Sequence, residues 1–163
     1  MKRTLPTLAA CLVLAALPTG IAAARDPVVA LRSGSSFGHC VGYCDEELEL
    51  VGTRGRYERR AWRAPTGTTL APQILRTSVP QQTWLKLVRL ADNLQLTKPQ
   101  VVIGCPDCDD GGSEWIELVR QSGAKRRIVF EYHRYPANAE ALGPQLAALR
   151  ETLAKASAAR GDR

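Results

Sequence analysis

The sequence predicts an α+β fold, a two-layer domain in which an antiparallel sheet of four to five strands carries two helices on one face. Three observations lead there. Short runs that alternate apolar and polar residues flank glycine-containing turns, one segment of helical period lies between two such groups, and a second, rich in Ala and Leu, closes the chain. The resulting order is strand, hairpin, helix, hairpin, helix.

The start of the chain is read separately. Met1-Lys2-Arg3 precedes an apolar stretch from Leu5 to Leu17, a break at Pro18-Thr19-Gly20 and the small residues Ala22-Ala23-Ala24. A basic start, an apolar centre and a small-residue end form the pattern of a secretory signal peptide, so residues 1–24 are expected to leave by cleavage after Ala24. The apolar run falls short of the roughly 20 residues that cross a hydrocarbon layer of about 30 Å, which argues against a retained transmembrane helix. Leu8-Ala9-Ala10-Cys11 matches a bacterial lipobox, but Cys11 lies inside the apolar run with Leu12-Val13-Leu14 after it, and the match reads as accidental. The expectation is a periplasmic or secreted protein with one domain over residues 25–157, a frayed tail at 158–163, and no transmembrane segment after cleavage.

Formal net charge is +6, and it falls when Lys2 and Arg3 leave with the signal. The dense basic segments, Arg54-Gly55-Arg56-Tyr57-Glu58-Arg59-Arg60 and Lys125-Arg126-Arg127, read as solvated strand edges and turns. Nucleic acid is not an expected partner. Another exported protein or an envelope component is.

Residues 27–32 (PVVALR) form a first strand, and the Gly- and Ser-rich residues 33–44 read as a shaped loop. Residues 47–51 alternate so that Leu48 and Leu50 face a core. Gly52-Thr53-Arg54-Gly55 turns the chain, and the return strand puts Tyr57, Arg59 and Ala61 opposite in sense to Glu58, Arg60 and Trp62. Residues 64–77, with Pro65, Gly67 and Pro72, are expected to be irregular. Ser78-Val79-Pro80-Gln81 has the form of a capping box, with Ser78 as N-cap and Pro80 in the first turn. Trp84, Leu85, Leu87, Val88 and Ala91 give that helix its apolar stripe, and Asn93 ends it. Residues 114–120 and 126–132 read as strands joined by a Gly-containing turn, with Ile128, Phe130 and Tyr132 on one face, although residues 114–119 also fit a helix. Leu142, Leu146, Leu149 and Leu153 mark an amphipathic helix from about Leu142 to Ala156, with Pro144 in its first turn.

The chemistry concentrates in Cys40-x3-Cys44 and in Cys105-Pro106-Asp107-Cys108-Asp109-Asp110-Gly111-Gly112. With Cys11 removed, an even number of cysteines in an oxidising compartment implies disulfides among Cys40, Cys44, Cys105 and Cys108. Three pairings are open. A local link closes a loop worth about 2 kcal/mol of chain entropy and a link between the two loops approaches about 4 kcal/mol, so magnitude favours bridges between the loops. Two alternatives keep the thiols reduced. Four thiolates could hold a structural zinc, with His39 as a replacement ligand. A redox Cys-Pro-Asp-Cys would need its first thiol at a helix N-terminus, and Asp109-Asp110-Gly111-Gly112 opposes that by breaking the helix and raising thiol pKa values. Asp107, Asp109 and Asp110 suggest calcium, but in the EF-hand register Leu118 takes the place of the required Glu. His133 has no hydrolase motif around it. No catalytic set emerges.

Phe37-Gly38-His39-Cys40-Val41-Gly42-Tyr43-Cys44, followed by an alternating strand and later by Gly104-Cys105-Pro106-Asp107-Cys108-Asp109-Asp110-Gly111-Gly112-Ser113-Glu114-Trp115, resembles a family of small exported bacterial proteins of unknown function with paired FGxCxGYC and CPDCxDGG motifs. The FGxC portion also resembles a second domain family of unknown function. Neither resemblance implies an activity. The functional expectation is an exported, disulfide-stapled, non-catalytic binding or interaction module without a cofactor; the alternative is a thiol-disulfide oxidoreductase or a four-cysteine metal protein using the CPDC loop.

Overall fold

The computed structural model describes residues 26–61 and 70–161. The expected signal segment with Cys11, the expected irregular residues 64–69, Trp62, and positions 162 and 163 of the tail lie outside the described residues. In chain order the elements are β1 (Val28–Ser36), β2 (Tyr43–Val51), β3 (Arg54–Ala61), β4 (Gln73–Ser78), α1 (Gln81–Asp92), β5 (Gln100–Val102), β6 (Ser113–Arg120), β7 (Lys125–Glu131) and α2 (Gly143–Gly161).

The fold is α+β, but the sheet is larger than expected and is not wholly antiparallel. Among the described residues seven strands lie in the order β4-β3-β2-β1-β6-β7-β5, and β5 runs parallel to β7 at one edge. A parallel neighbour needs a long connection elsewhere in the chain. Here the Cys105 loop and β6 make the connection between β5 and β7, while α1 stands in the chain between β4 and β5, the two edge strands.

Three local expectations are corrected. Residues 33–36 are not loop: β1 continues to Ser36 because it is the central strand, hydrogen-bonded along its length by β2 and β6. Ladder pairing on both sides overrides the weak strand propensity of Ser and Gly. Gly34 is required there, since a Cβ at that position would collide with the Trp115 ring of β6. Residues 73–77 are likewise strand, for Leu75 stands opposite Tyr57 and is buried against it. Finally, Ser78 ends β4 and caps nothing. Pro80 takes the N-cap position of α1 with no side-chain cap hydrogen bond, so the capping box does not form. The end of α1 at Asn93 agrees with the sequence, whose backbone N–H donates to Leu90. The closing helix begins at Gly143 and runs to Gly161, beyond the expected end at Ala156.

Period two sorts the strands into two faces. Leu31, Leu48, Leu50, Tyr57, Leu75, Ile116, Leu118, Ile128 and Phe130 point to one side and form a single buried cluster with Trp84, Leu87 and Ala91 of α1, Leu142 just before α2 and Leu146 within it. Both helices therefore cover one face. The other face is polar and open, crossed by ion pairs from Arg32 to Glu49 (2.6 Å) and Glu117 (3.3 Å) and from Arg127 to Glu117 (3.0 Å).

Candidate functional site

Both cysteine loops leave the sheet at the same end. Ser36, the last residue of β1, pairs with Asp45 of β2 on one side and with Ser113 of β6 on the other, so the Cys40 loop and the Cys105 loop emerge as neighbours. That adjacency agrees with the sequence; the covalent links between the loops do not. Cys40 is bonded to Cys44 and Cys105 to Cys108, with Cα separations of 5.6 Å and 5.5 Å. Chain entropy acts on the unfolded state, whereas pairing follows which Cβ vectors the folded backbone brings within about 4 Å. Two short turns satisfy that condition locally. The loops are instead joined by polar and aromatic contacts: the Gly38 N–H donates to Asp107 (3.2 Å), His39 Nδ1 lies 2.7 Å from Asp110, and the Phe37 ring packs on Gly112, where a Cβ would collide with it.

The Cys105 loop has an unusual backbone. Gly104, Asp107, Asp109, Asp110 and Gly112 all lie in the left-handed region, at φ 72°, 62°, 53°, 58° and 80°. Short polar Asp side chains and Gly are the residues that accept this conformation. The clustered carboxylates thus serve the turn, and two of them dock the neighbouring loop. Among the described residues no group of three or more His, Cys, Asp or Glu is placed to hold a metal ion. After Cys105-Pro106-Asp107 comes a 3₁₀ turn, Cys108–Asp110, which supplies no α-helical N-terminus at Cys105. His133 is exposed at the end of β7, its ring stacked on Tyr132 with centroids 3.9 Å apart and its backbone N–H donating to Glu114 (3.3 Å).

Beneath the loops lies an arrangement that the sequence reading missed. Arg150 of α2 is 1% exposed, and its guanidinium donates to Ser33 of β1, Glu114 of β6 and Glu46 of β2. Glu114 is fully buried. Glu46 also accepts from Tyr57 (2.6 Å) and Ser35 (3.2 Å). Burial, with Glu46 accepting its hydrogen bond, pushes the Tyr57 phenol far above the ordinary tyrosine range. Burial similarly raises Tyr132 and Tyr135, aided by the Glu46 and Glu114 charges at Tyr132 and by Glu114 at Tyr135. Every described buried side-chain nitrogen and oxygen has a partner. A signal was present: Arg150 continues the Leu142, Leu146 spacing, and Glu46 and Glu114 share the inward parity of Leu48 and Ile116. Three charges at core-facing positions on three elements imply that they meet.

Two clefts open above this cluster and share Tyr132 as a wall. The smaller, about 170 Å³, has Phe37, Tyr43 and Tyr132 around Glu46, Ser35 and Arg59. Tyr132 meets Phe37 edge-on at 4.7 Å, and the Arg59 guanidinium lies 4.8 Å above the Tyr43 ring. The larger, about 480 Å³, is polar and is lined by the Cys105–Cys108 bridge, Asp109, Glu131 and Arg134. Aromatic faces with a few oriented polar groups can hold a small ligand or a partner's side chain. The chain matches no protein-family model, no curated protein and no solved structure.

Proposed function

We propose that the protein is an exported binding module whose contact surface is the two-loop end. The observation that carries this reading is the way each loop is closed by its own disulfide and then locked to the other by Asp107, Asp110 and the Phe37–Gly112 contact, over a fully bonded ionic cluster. Such a rim loses little conformational freedom on contact, which favours binding. The signal-like residues 1–24 and the disulfides support export. The resemblance to small exported bacterial proteins belongs to the same reading.

The exposed Cys105–Cys108 bridge favours one rival, thiol-disulfide exchange. Exchange needs a stabilised thiolate, and the neighbouring Asp107, Asp109 and Asp110 work against it. Two measurements decide. A fragment screen followed by backbone-amide NMR should place its hits around Phe37, Tyr43, Arg59 and Tyr132, and hits confined to other surfaces overturn the binding site. An insulin-reduction assay should give no turnover; turnover abolished by Cys105→Ser establishes the enzyme instead.

A further inference from the structure

On the open sheet face the strand register sets a row of side chains running Arg76, Arg56, Glu49, Arg32, Glu117, Arg127. From Glu49 onward the charges alternate and pair. At the β3–β4 end the alternation fails, because Arg56 stands directly opposite Arg76, with Arg54 one diagonal step away. Like charges directly opposite one another destabilise an antiparallel pair. Internal carboxylates relieve this only on the Arg56 side. Arg56 reaches Glu58 at 2.6 Å and Glu49 is held by Arg32, while Arg54 and Arg76 have no carboxylate partner among the described residues. The three arginines line a groove of about 380 Å³ together with Val51, Gly55, Thr77 and one carboxylate, Glu49, which Arg32 already neutralises.

We propose that this groove binds a phosphate-bearing ligand. Guanidinium groups offer planar pairs of N–H donors that match phosphoryl oxygens two at a time, and an anion seated between Arg56 and Arg76 converts their repulsion into a shared attraction. The site is separate from the two-loop end and does not rest on ligand binding there. Edge protection is the competing account, since charged side chains guard an outer strand against pairing with other chains. It requires no groove lined by arginines and predicts no saturable binding.

Inorganic pyrophosphate, titrated into the protein at low ionic strength and followed by backbone-amide NMR, should give saturable shifts at residues 54–56, 76 and 77. Affinity should fall as salt is raised. The double variant Arg56→Gln, Arg76→Gln should bind about tenfold more weakly or worse, with a melting transition no lower than the parent's. Arg89→Gln, an exposed change on α1, should bind like the parent. Sedimentation with phosphatidylglycerol vesicles, against phosphatidylcholine vesicles, separates the sources. Vesicle binding lost in the double variant assigns a lipid headgroup, and pyrophosphate binding without it assigns a soluble phosphate; either supports the site. A response that never saturates, or one weakened equally by Arg89→Gln, overturns it.

Discussion

Replacing Arg150 by methionine would strip Glu114 of its guanidinium partner while leaving the carboxylate buried. Breaking a buried ion pair from one side costs about 3–5 kcal/mol, much of it the uncompensated charge. Arg150→Met is therefore expected to lose that amount in urea unfolding. Glu114→Gln in the same background should recover part of the loss, because it removes the stranded charge. Equal stability of the single and double variants would show that Glu114 finds another counter-charge. The position is instructive because the residue looks ordinary in the sequence. An Arg in an Ala- and Leu-rich helix reads as surface, and only its spacing from Leu142 and Leu146 marks it as inward-facing.

Among the elements, α2 and the two cysteine loops carry the clearest tests. Leu146, Ala147, Arg150 and Ser157 are buried along α2, with Leu142 buried just before it, and the helix crosses β1, β2, β3 and β4. Truncation before Leu142 exposes the apolar face beneath and removes the counter-ion of Glu46 and Glu114. Loss of the cooperative melting transition is the expected result, and an unchanged transition would make the helix peripheral. Each disulfide closes only a short turn, so converting Cys40 and Cys44, or Cys105 and Cys108, to serine should cost about 2 kcal/mol per bridge. Non-reducing peptide mapping with cleavage inside each pair should recover Cys40 with Cys44 and Cys105 with Cys108. Recovery of any fragment joining the two loops contradicts the structure.

At the scale of the whole molecule, the buried Tyr57 and the half-buried Tyr132 and Tyr135 make stability depend on alkaline pH. Tyr57, Tyr132 and Tyr135 all have phenols raised above their ordinary value, chiefly by burial. An unfolded-chain tyrosine titrates near about 10. The native state therefore holds these protons more tightly: their contribution is fully present below that pH and falls as pH rises toward the folded-state values. The melting temperature should be level from neutral pH to about 9 and drop beyond about 10. Tyr57→Phe should start lower by about 0.5–1.5 kcal/mol for the lost hydrogen bond to Glu46 and decline less steeply. Parallel pH curves for parent and variant would remove Tyr57 from the account.

Periodicity and turn chemistry, which report how one short segment meets a core, were enough to determine the α+β class, the β2–β3 and β6–β7 hairpins, the inward placement of Leu48 and Leu50, and the apolar stripes of both helices except Leu85, which is exposed. Tertiary structure decided what depends on partners distant in sequence. β1 extends through Ser33–Ser36 because two flanking strands satisfy its backbone, β4 forms because Tyr57 offers Leu75 a buried contact, and β5 pairs in parallel with β7 because the Cys105 loop and β6 make the connection between them. The disulfides close within each loop because backbone geometry, not chain entropy, sets which sulfurs meet. Glu46, Glu114 and Arg150 become one buried cluster for the same reason: no segment taken alone contains the opposite charge that makes its burial tolerable.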